Sequence, residues 1–403
     1  PERPARTSFM GYARPDGRVG TRNFIGIMAS VNCSSTVCDA IAAEANRVLL
    51  PKYPGIDGFA PLVHDQGCGM SNRGEGFDAL VRTLKGYRDH PNFGGVLIVG
   101  LGCEVNQLTL YKPTDWTRER FHSCNIQEVG GSRSAVKRAV ELLEPIAAAA
   151  SRDRRSEQPV SKLTLGMQCG GSDGFSGITA NPALGVASDM LVAAGGTSIL
   201  SETPEIFGAE HLLIARAAPE TGARIEAMID WWRDYAEKNG ASLDNNPSPG
   251  NKKGGLTTIL EKSLGAVAKG GMAPLAGAYA YAERIDANGF VYMDSPGYDP
   301  VAATGQVAAG ATLIAFTTGR GSCFGAKPAP SIKLASNSDL ARSMPEDIDI
   351  DCGGVVEQGT SLTEMGARIY DLLLDTVSGQ QTASEQFGYG DNEFVPWKIG
   401  AVL

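Results

Sequence analysis

Short apolar runs alternate with helical stretches along most of this 403-residue chain, and that alternation limits the fold more than any other feature. The run "NFIGIMASV" (23–31) leads into an Ala-rich helical stretch ending near Leu50. "GFAPLVHD" (58–65) precedes "FDALVRTLKGYRD", "GGVLIVG" (94–100) precedes another helical stretch, and "SCNIQEV" (123–129) precedes "SAVKRAVELLEPIAAAA". "GGVLIVG" is nearly all apolar, as a strand covered on both faces must be. Strands separated by helices predict parallel sheets with right-handed crossovers. The polar run "SRDRRSEQPVS" reads as a linker over 151–161, between a first α/β domain (1–150) and a C-terminal α/β domain (162–403). Each is expected to be a mainly parallel sheet flanked by helices, Rossmann-like or flavodoxin-like. In the second half, the pattern predicts a helix from Asn181 to Gly195 and a strand over 197–202. Helices follow near 220–239 and 256–269, then a strand over 289–294 and a terminal helix near 361–377.

The strand ends carry the chemistry-bearing residues. Cys33, Cys68 and Cys103 follow three successive strand candidates at a constant spacing of 35 residues, the length of one βα unit, and Cys169 holds the equivalent place in the second half. In open parallel sheets, ligands bind in the crevice beyond the carboxyl ends of the strands. The repeat length explains the spacing but not the recurrence of cysteine at one structural point. Three readings remain for these residues: buried filler, nucleophiles or metal ligands. "MQCGGSDGFSGITANP" (167–182) packs poorly, and its glycines cost backbone entropy. Its Gly170, Gly171 and Ser172 N–H groups, leading into a helix, are suited to cradling an anion. Other strand ends supply His64 and Asp65, Glu202 and Glu205, Asp294 and Asp299, and Arg320, Lys327 and Lys333, whereas His90 sits in an exposed-looking "RDHPN" turn.

Several classes are set aside. The glycines of 170–177 lack G-x-G-x-x-G spacing, and neither a G-x-x-x-x-G-K-[ST] loop, a G-x-S-x-G elbow nor a C-x-x-C pair is present. A net charge of −9 without a basic, aromatic-interleaved patch argues against nucleic acid. No apolar stretch is long enough to cross a bilayer, and "PERPARTSFMGYARPDGRVG" has no signal-peptide core, so the cytoplasm is the expected compartment. The eight cysteines are then expected to be reduced.

Longer motifs narrow the class. "GYARPDGRVGTRNFIGIMASVNCS", "HDQGCGM", "GLGCEVNQ", "QCGGSDGFSGITANPALG", "LSETPEIFGAEHLL", "NNPSPGNKKGGLTTILEKSLGAVAKGG", "MDSPGYDPVAATGQVAAGA" and "FTTGRGS" occur in this order between about Gly11 and about Gly359. Together they resemble the altronate/galactarate dehydratase family. The resemblance implies removal of water from an altronate- or galactarate-like sugar acid to give a 2-keto-3-deoxy acid, with Fe²⁺ or Mn²⁺ as cofactor. The family also includes sulfolactate sulfo-lyase large subunits, so carbon–sulfur cleavage is the alternative. Fused members carry a small N-terminal SAF-type domain, and this chain begins almost directly at the second domain. A separate small SAF-domain subunit is therefore an expected partner, beside a homo-oligomer.

For dehydration, His64 is expected as acid/base or orienting group, with Lys333 as the competing base. Gly170, Gly171, Ser172, Asp173, Asn181, Asn251, Arg320, Ser322 and Lys327 are the expected substrate contacts. Cys68 and Cys169, with Cys33 and Cys103, are expected to converge on an iron centre between the domains. A labile iron–sulfur cluster is the alternative, and Glu104 or Asp173 the carboxylate ligand if the cysteines are only buried.

Overall fold

The computed structural model describes residues 3–114, 118–243 and 247–400. The chain opens with β1 (Ser8–Ala13) and β2 (Val19–Gly20). It then forms β3 (Phe24–Ala29), α1 (Asn32–Val48), β4 (Gly58–Leu62), α2 (Glu75–Arg88), β5 (Phe93–Gly100), β6 (Phe121–Asn125) and α3 (Ser132–Ala150). Strands β3 to β6 make a wholly parallel four-stranded sheet in the order β4-β3-β5-β6. Every residue of β5 is buried, which is why it is written almost without polar side chains.

The expected linker is more ordered than its polarity suggests. Ser156–Pro159 forms β7, which pairs antiparallel with β1, so the segment joining the two large sheets is itself held in a small third sheet, β2-β1-β7. A second parallel sheet follows, built from β8 (Thr164–Cys169), β9 (Thr197–Leu200), β10 (Leu275–Tyr279), β11 (Gly289–Met293), β12 (Leu313–Thr318), β13 (Ser331–Ala335) and β14 (Ile350–Asp351). Its order is β10-β11-β9-β8-β12-β13-β14. The helices that matter here are α4 (Ala180–Ala193), α5 (Thr203–Ile206), α6 (Pro219–Lys238), α7 (Ile259–Ala268), α8 (Asp299–Ala309) and α9 (Leu362–Val377).

One face of the four-stranded sheet packs Ile25, Ile27, Leu97 and Val99 against α1 and α3. The other face places Met28, Leu62 and Ile98 in an apolar cluster that continues through α2 into Val291 and Phe316 of the larger sheet and Trp397 of the C-terminal segment. The two sheets therefore share a core. Helices α2 and α8 run side by side in that core. Near their carboxyl ends, a Cβ on Gly86 would stand 2.3 Å from the Ala308 carbonyl oxygen, so only glycine permits this approach. Glu75, the first residue of α2, lies within electrostatic reach of Asp294, which follows β11. The carboxyl edges of the two large sheets carry the residues of chemical interest.

Candidate active site

Two constellations occupy these edges. In the larger sheet, the strand order reverses between β8, whose chain continues to β9, and β12, whose chain continues to β13 on the other side. Such a switch point leaves a crevice beyond the strand ends. The "CGGSDGFSG" loop fills it. Gly170 N–H donates to the Thr317 carbonyl (3.1 Å), and Gly171, at φ 61°, accepts from Gly319 N–H (3.0 Å). Among the described residues, the N–H groups of Gly171 and Ser172 have no acceptor, so part of the expected anion cradle is open and Gly170 is not part of it.

The polar side chains of this loop hold the loop itself. Asp173 accepts from Ser176 Oγ (2.8 Å), Ser336 Oγ (2.7 Å) and Asn337 Nδ2 (2.9 Å), which occupies both carboxylate oxygens. Asn251 donates to the Ser172 carbonyl (2.8 Å), and Asn181 bridges Thr317 Oγ1 (2.6 Å) and the Gly265 carbonyl (3.0 Å). These three residues, expected as substrate contacts, are loop and helix anchors. Ser322 caps its own turn by accepting from Phe324 N–H (3.1 Å), Lys327 pairs with Asp391 (2.7 Å), and Arg320 is exposed at the crevice.

Beside the loop, between the ends of β8, β9 and β11, lies a buried charged cluster. Cys169 Sγ is 3.6 Å from Glu205 Oε2, Lys262 Nζ donates to Glu205 Oε1 (2.5 Å), and Lys269 Nζ stands 3.6 Å from Glu202. Cys169, Glu202 and Glu205 alone among the described residues bring three donor atoms within 4.8 Å of one another. Neither oxygen of Glu202 nor the Lys269 ammonium has a hydrogen bond, although both groups are fully buried. Glu202 also adopts φ 74°, a conformation that costs a non-glycine residue about 1–2 kcal/mol. Ser295, two residues beyond the end of β11, holds it there, its hydroxyl accepting from Glu202 N–H (3.0 Å). Unpaired buried polar atoms on a strained backbone are a signature of function.

Asp299, the first residue of α8, closes the cluster: a Cβ on Gly170 would come 2.4 Å from its Oδ2, so glycine admits the carboxyl to the loop. Burial, then the charge of Glu205, push Asp299 up to about 7. Glu202 is raised well above the carboxylate range by burial and by Glu205. Burial raises the Cys169 thiol to about 12. For Lys262 and Lys269, burial pulls the other way, and the surrounding Cys169, Glu202 and Glu205 outweigh it, so both ammonium groups are raised and stay charged.

The second constellation lies on the four-stranded sheet, whose order reverses between β3 and β5. Cys33 begins α1, Cys68 follows β4 and Cys103 follows β5, and all three are exposed. Burial, then the neighbouring Cys68 and Cys103, raise the Cys33 thiol, so both lie within electrostatic reach of it. Cys169 keeps other company, among the glutamates and lysines. The four cysteines expected at one centre therefore divide into three and one.

Four further expectations are corrected. His64 is buried, with Nε2 on the Ala29 carbonyl (3.1 Å) and Nδ1 accepting from Gln66 N–H (3.2 Å). Both ring nitrogens are spent on backbone, and burial lowers the imidazole to about 4, so His64 is a neutral clamp for the loop carrying Cys68. His90 is not exposed but buried, making the same kind of clamp between the Ala311 carbonyl and Asn92 N–H. Lys333 points from the middle of β13 to the Phe324 carbonyl (3.0 Å), and its charged neighbours are Asp349, Asp347, Cys323 and Glu393, none of them in the cluster. Glu104 accepts from Ser30 Oγ (2.6 Å), Leu101 N–H (3.1 Å) and Gly102 N–H (2.7 Å), so its carboxylate ties down its own loop.

Sequence reasoning missed Lys262 and Lys269. Their signal is a spacing of seven, two helical turns, which puts Lys262 and the C-capping Lys269 on one face of α7. A parallel α/β scaffold with a buried thiol, acids and lysines at its strand ends defines an enzyme of proton-transfer chemistry. Residues 160–402 match the family described as D-galactarate/altronate dehydratase, C-terminal, and residues 11–151 match D-galactarate dehydratase/altronate hydrolase, second domain. The chain belongs to the galactarate/altronate dehydratase family. It is 39% identical to galactarate dehydratase (L-threo-forming) of Escherichia coli K12, over 94% of this chain and 75% of the relative. With altronate dehydratase of Bacillus subtilis 168 the identity is 36%, over 98% and 78%. With (2R)-sulfolactate sulfo-lyase subunit beta of Chromohalobacter salexigens it is 32%, over 96% of both chains. No described helix is long and apolar enough to cross a membrane.

Proposed function

We propose that the protein removes water from an altronate- or galactarate-like sugar acid, giving a 2-keto-3-deoxy acid. The substrate class is taken from the relatives' names; the chemistry rests on one observation, the buried Cys169–Glu202–Glu205–Lys262–Lys269–Asp299 cluster. In this reaction the C–H bond beside the carboxylate breaks, its electron pair forms a double bond, and the β-hydroxyl leaves with a proton as water. The enol then becomes the ketone.

Asp299, at about 7, is matched to neutral pH, where it can both take and give a proton. Lys262 and Lys269 remain cationic and supply the field for the enolate charge. The open Gly171 and Ser172 N–H groups suit the substrate carboxylate, with exposed Arg320 beside them for a second anionic end. Cys169, Glu202 and Glu205 fit a divalent cation. With the thiol ionised, these three and Asp299 carry four negative charges against two lysines, which leaves the charge one such ion would neutralise. Fe²⁺ or Mn²⁺ held there would supply a Lewis acid.

The test is turnover of a panel of aldonic and aldaric acids under anaerobic conditions with Fe²⁺ or Mn²⁺, read as 2-keto-3-deoxy acid. Asp299→Asn is expected to lower kcat by about 10²–10⁴-fold, the scale of a general acid–base group. Unchanged kcat removes Asp299 from the reaction. A second reading, carbon–sulfur cleavage with a small partner subunit, is favoured by the relative that this chain matches over 96% of both lengths, which is named as a beta subunit. Sulfite release from sulfolactate, with and without a small SAF-domain chain, decides for it.

A further inference from the structure

We infer that Cys33, Cys68 and Cys103 hold an iron–sulfur cluster of the four-iron type, with one iron free of protein ligand and open to solvent. This concerns what the triad binds, and it stays decidable if the chain turns over no sugar acid.

The three thiols follow three adjacent strands, β4, β3 and β5, at the point where the order of the sheet reverses. Their loops are fixed by backbone rather than by one another's sulfurs. Val105 N–H donates to the Cys68 carbonyl (3.0 Å), Asn32 N–H to the Gln66 carbonyl (2.9 Å), and Asn106 Nδ2 to the Ser30 carbonyl (2.8 Å). The His64 clamp and the Glu104 knot complete that frame.

A single ion does not fit the triad. A tetrahedral thiolate site with metal–sulfur bonds near 2.3 Å draws its sulfurs to about 3.8 Å apart. The three sulfurs here do not all lie within 4.8 Å of one another. A cluster suits the wider stance because each thiolate binds its own iron.

Two surrounding features fit a sulfur-rich anionic guest. Gln127 Nε2 already donates to Cys103 Sγ (3.5 Å), the hydrogen bond by which proteins tune cluster sulfur. The Gln66 side-chain amide, two residues before Cys68, is buried with its Nε2 unpartnered. Cys33 further stands in the first turn of the 17-residue α1, which carries no acidic residue there, so the positive helix end faces the site. Three thiolates for four irons leave one coordination site free.

Full-length protein purified anaerobically and incubated with ferrous iron, sulfide and thiol reductant is expected to retain about four irons and four acid-labile sulfides per chain. It should show a charge-transfer band in visible light and an EPR signal after dithionite reduction. Cys33→Ser, Cys68→Ser and Cys103→Ser should each lose the sulfide and the signal while keeping native circular dichroism. Cys169→Ser and Cys323→Ser should keep both. Galactarate or altronate added to the reduced protein is expected to shift the EPR signal through the free iron. One zinc or iron per chain without sulfide overturns the inference, as does a Cys33–Cys68 disulfide in the anaerobic protein or a triad variant that retains the cluster. Cluster formation without turnover would count against the dehydratase reading alone.

Discussion

Replacing Asp299 by Asn is expected to make the folded protein more stable at alkaline pH while sharply slowing its turnover. Burial and the neighbouring Glu205 raise this carboxyl from its ordinary 3.8 to about 7. Each tenfold weakening of the acid corresponds to about 1.4 kcal/mol, so holding the ionised group inside the fold costs about 4 kcal/mol. The sign follows from the raised value. The contribution of Asp299 to stability is present in full below about pH 4, and it is lost as pH rises to about 7. The Asn variant escapes that loss. At pH 8 it forfeits the attraction of a carboxylate to the start of α8, about 0.5–1 kcal/mol, and a net gain of about 3 kcal/mol remains. Urea unfolding of both proteins at pH 5 and pH 8, with reversibility checked by refolding, measures the effect. Most of the difference accrues between these two values, so the variant's advantage should widen by about 3 kcal/mol from the lower pH to the higher. A constant or shrinking advantage would falsify the claim that Asp299 is buried against other negative charge.

Two further perturbations probe the frame around the sites. Lys269→Met leaves Glu202 buried without a counter-charge and should cost about 3 kcal/mol in urea unfolding, with more than half recovered in the Lys269→Met/Glu202→Gln double variant; simple additivity would show that the two do not interact. His64→Phe should cost about 1–3 kcal/mol by orphaning the Ala29 carbonyl and Gln66 N–H, and should speed hydrogen exchange over 64–68. Because His64 is lowered to about 4 and is neutral well above that, the pH–rate profile above pH 5 should keep its shape, and loss of an ionisation in that range would restore it as an acid/base.

Much of the fold was legible because buried parallel strands write themselves in apolar letters. "GGVLIVG", "NFIGIMASV" and "GFVYMD" each mark a strand to within two residues or so at either end, and the helices over 220–239 and 361–377 fall where the pattern puts them. What escaped is short or half-exposed. β7 is "SEQP", whose pairing with β1 depends on a partner some 150 residues earlier, and no local pattern encodes such a contact. β10, "LAGAY", is too brief and too rich in small residues to stand out from a loop. The linker reading followed from polarity, which an edge strand shares.

The sites divide along a similar line. The cysteine triad was readable because the βα repeat fixes the strand end, so a residue type recurring at the repeat length must recur at one edge of the sheet. Its separation from Cys169 was not, since repeat length says nothing about how two sheets are placed. His64 and Asp173 misled for a related reason. A polar residue at a strand end is equally suited to gripping a substrate and to tying down its own loop, and only the partners decide. Here the Ala29 carbonyl, Gln66 N–H, Ser176, Ser336 and Asn337 engage both ring nitrogens of His64 and both carboxylate oxygens of Asp173. Glu202 and Lys269 show the opposite: buried, ionisable, free of hydrogen bonds and, for Glu202, strained. Such atoms lower the stability of the fold, and a bound cation or substrate carboxylate would supply the partners they lack. That asymmetry, rather than residue type or position in the sequence, is what separates the groups that build these loops from the groups that act.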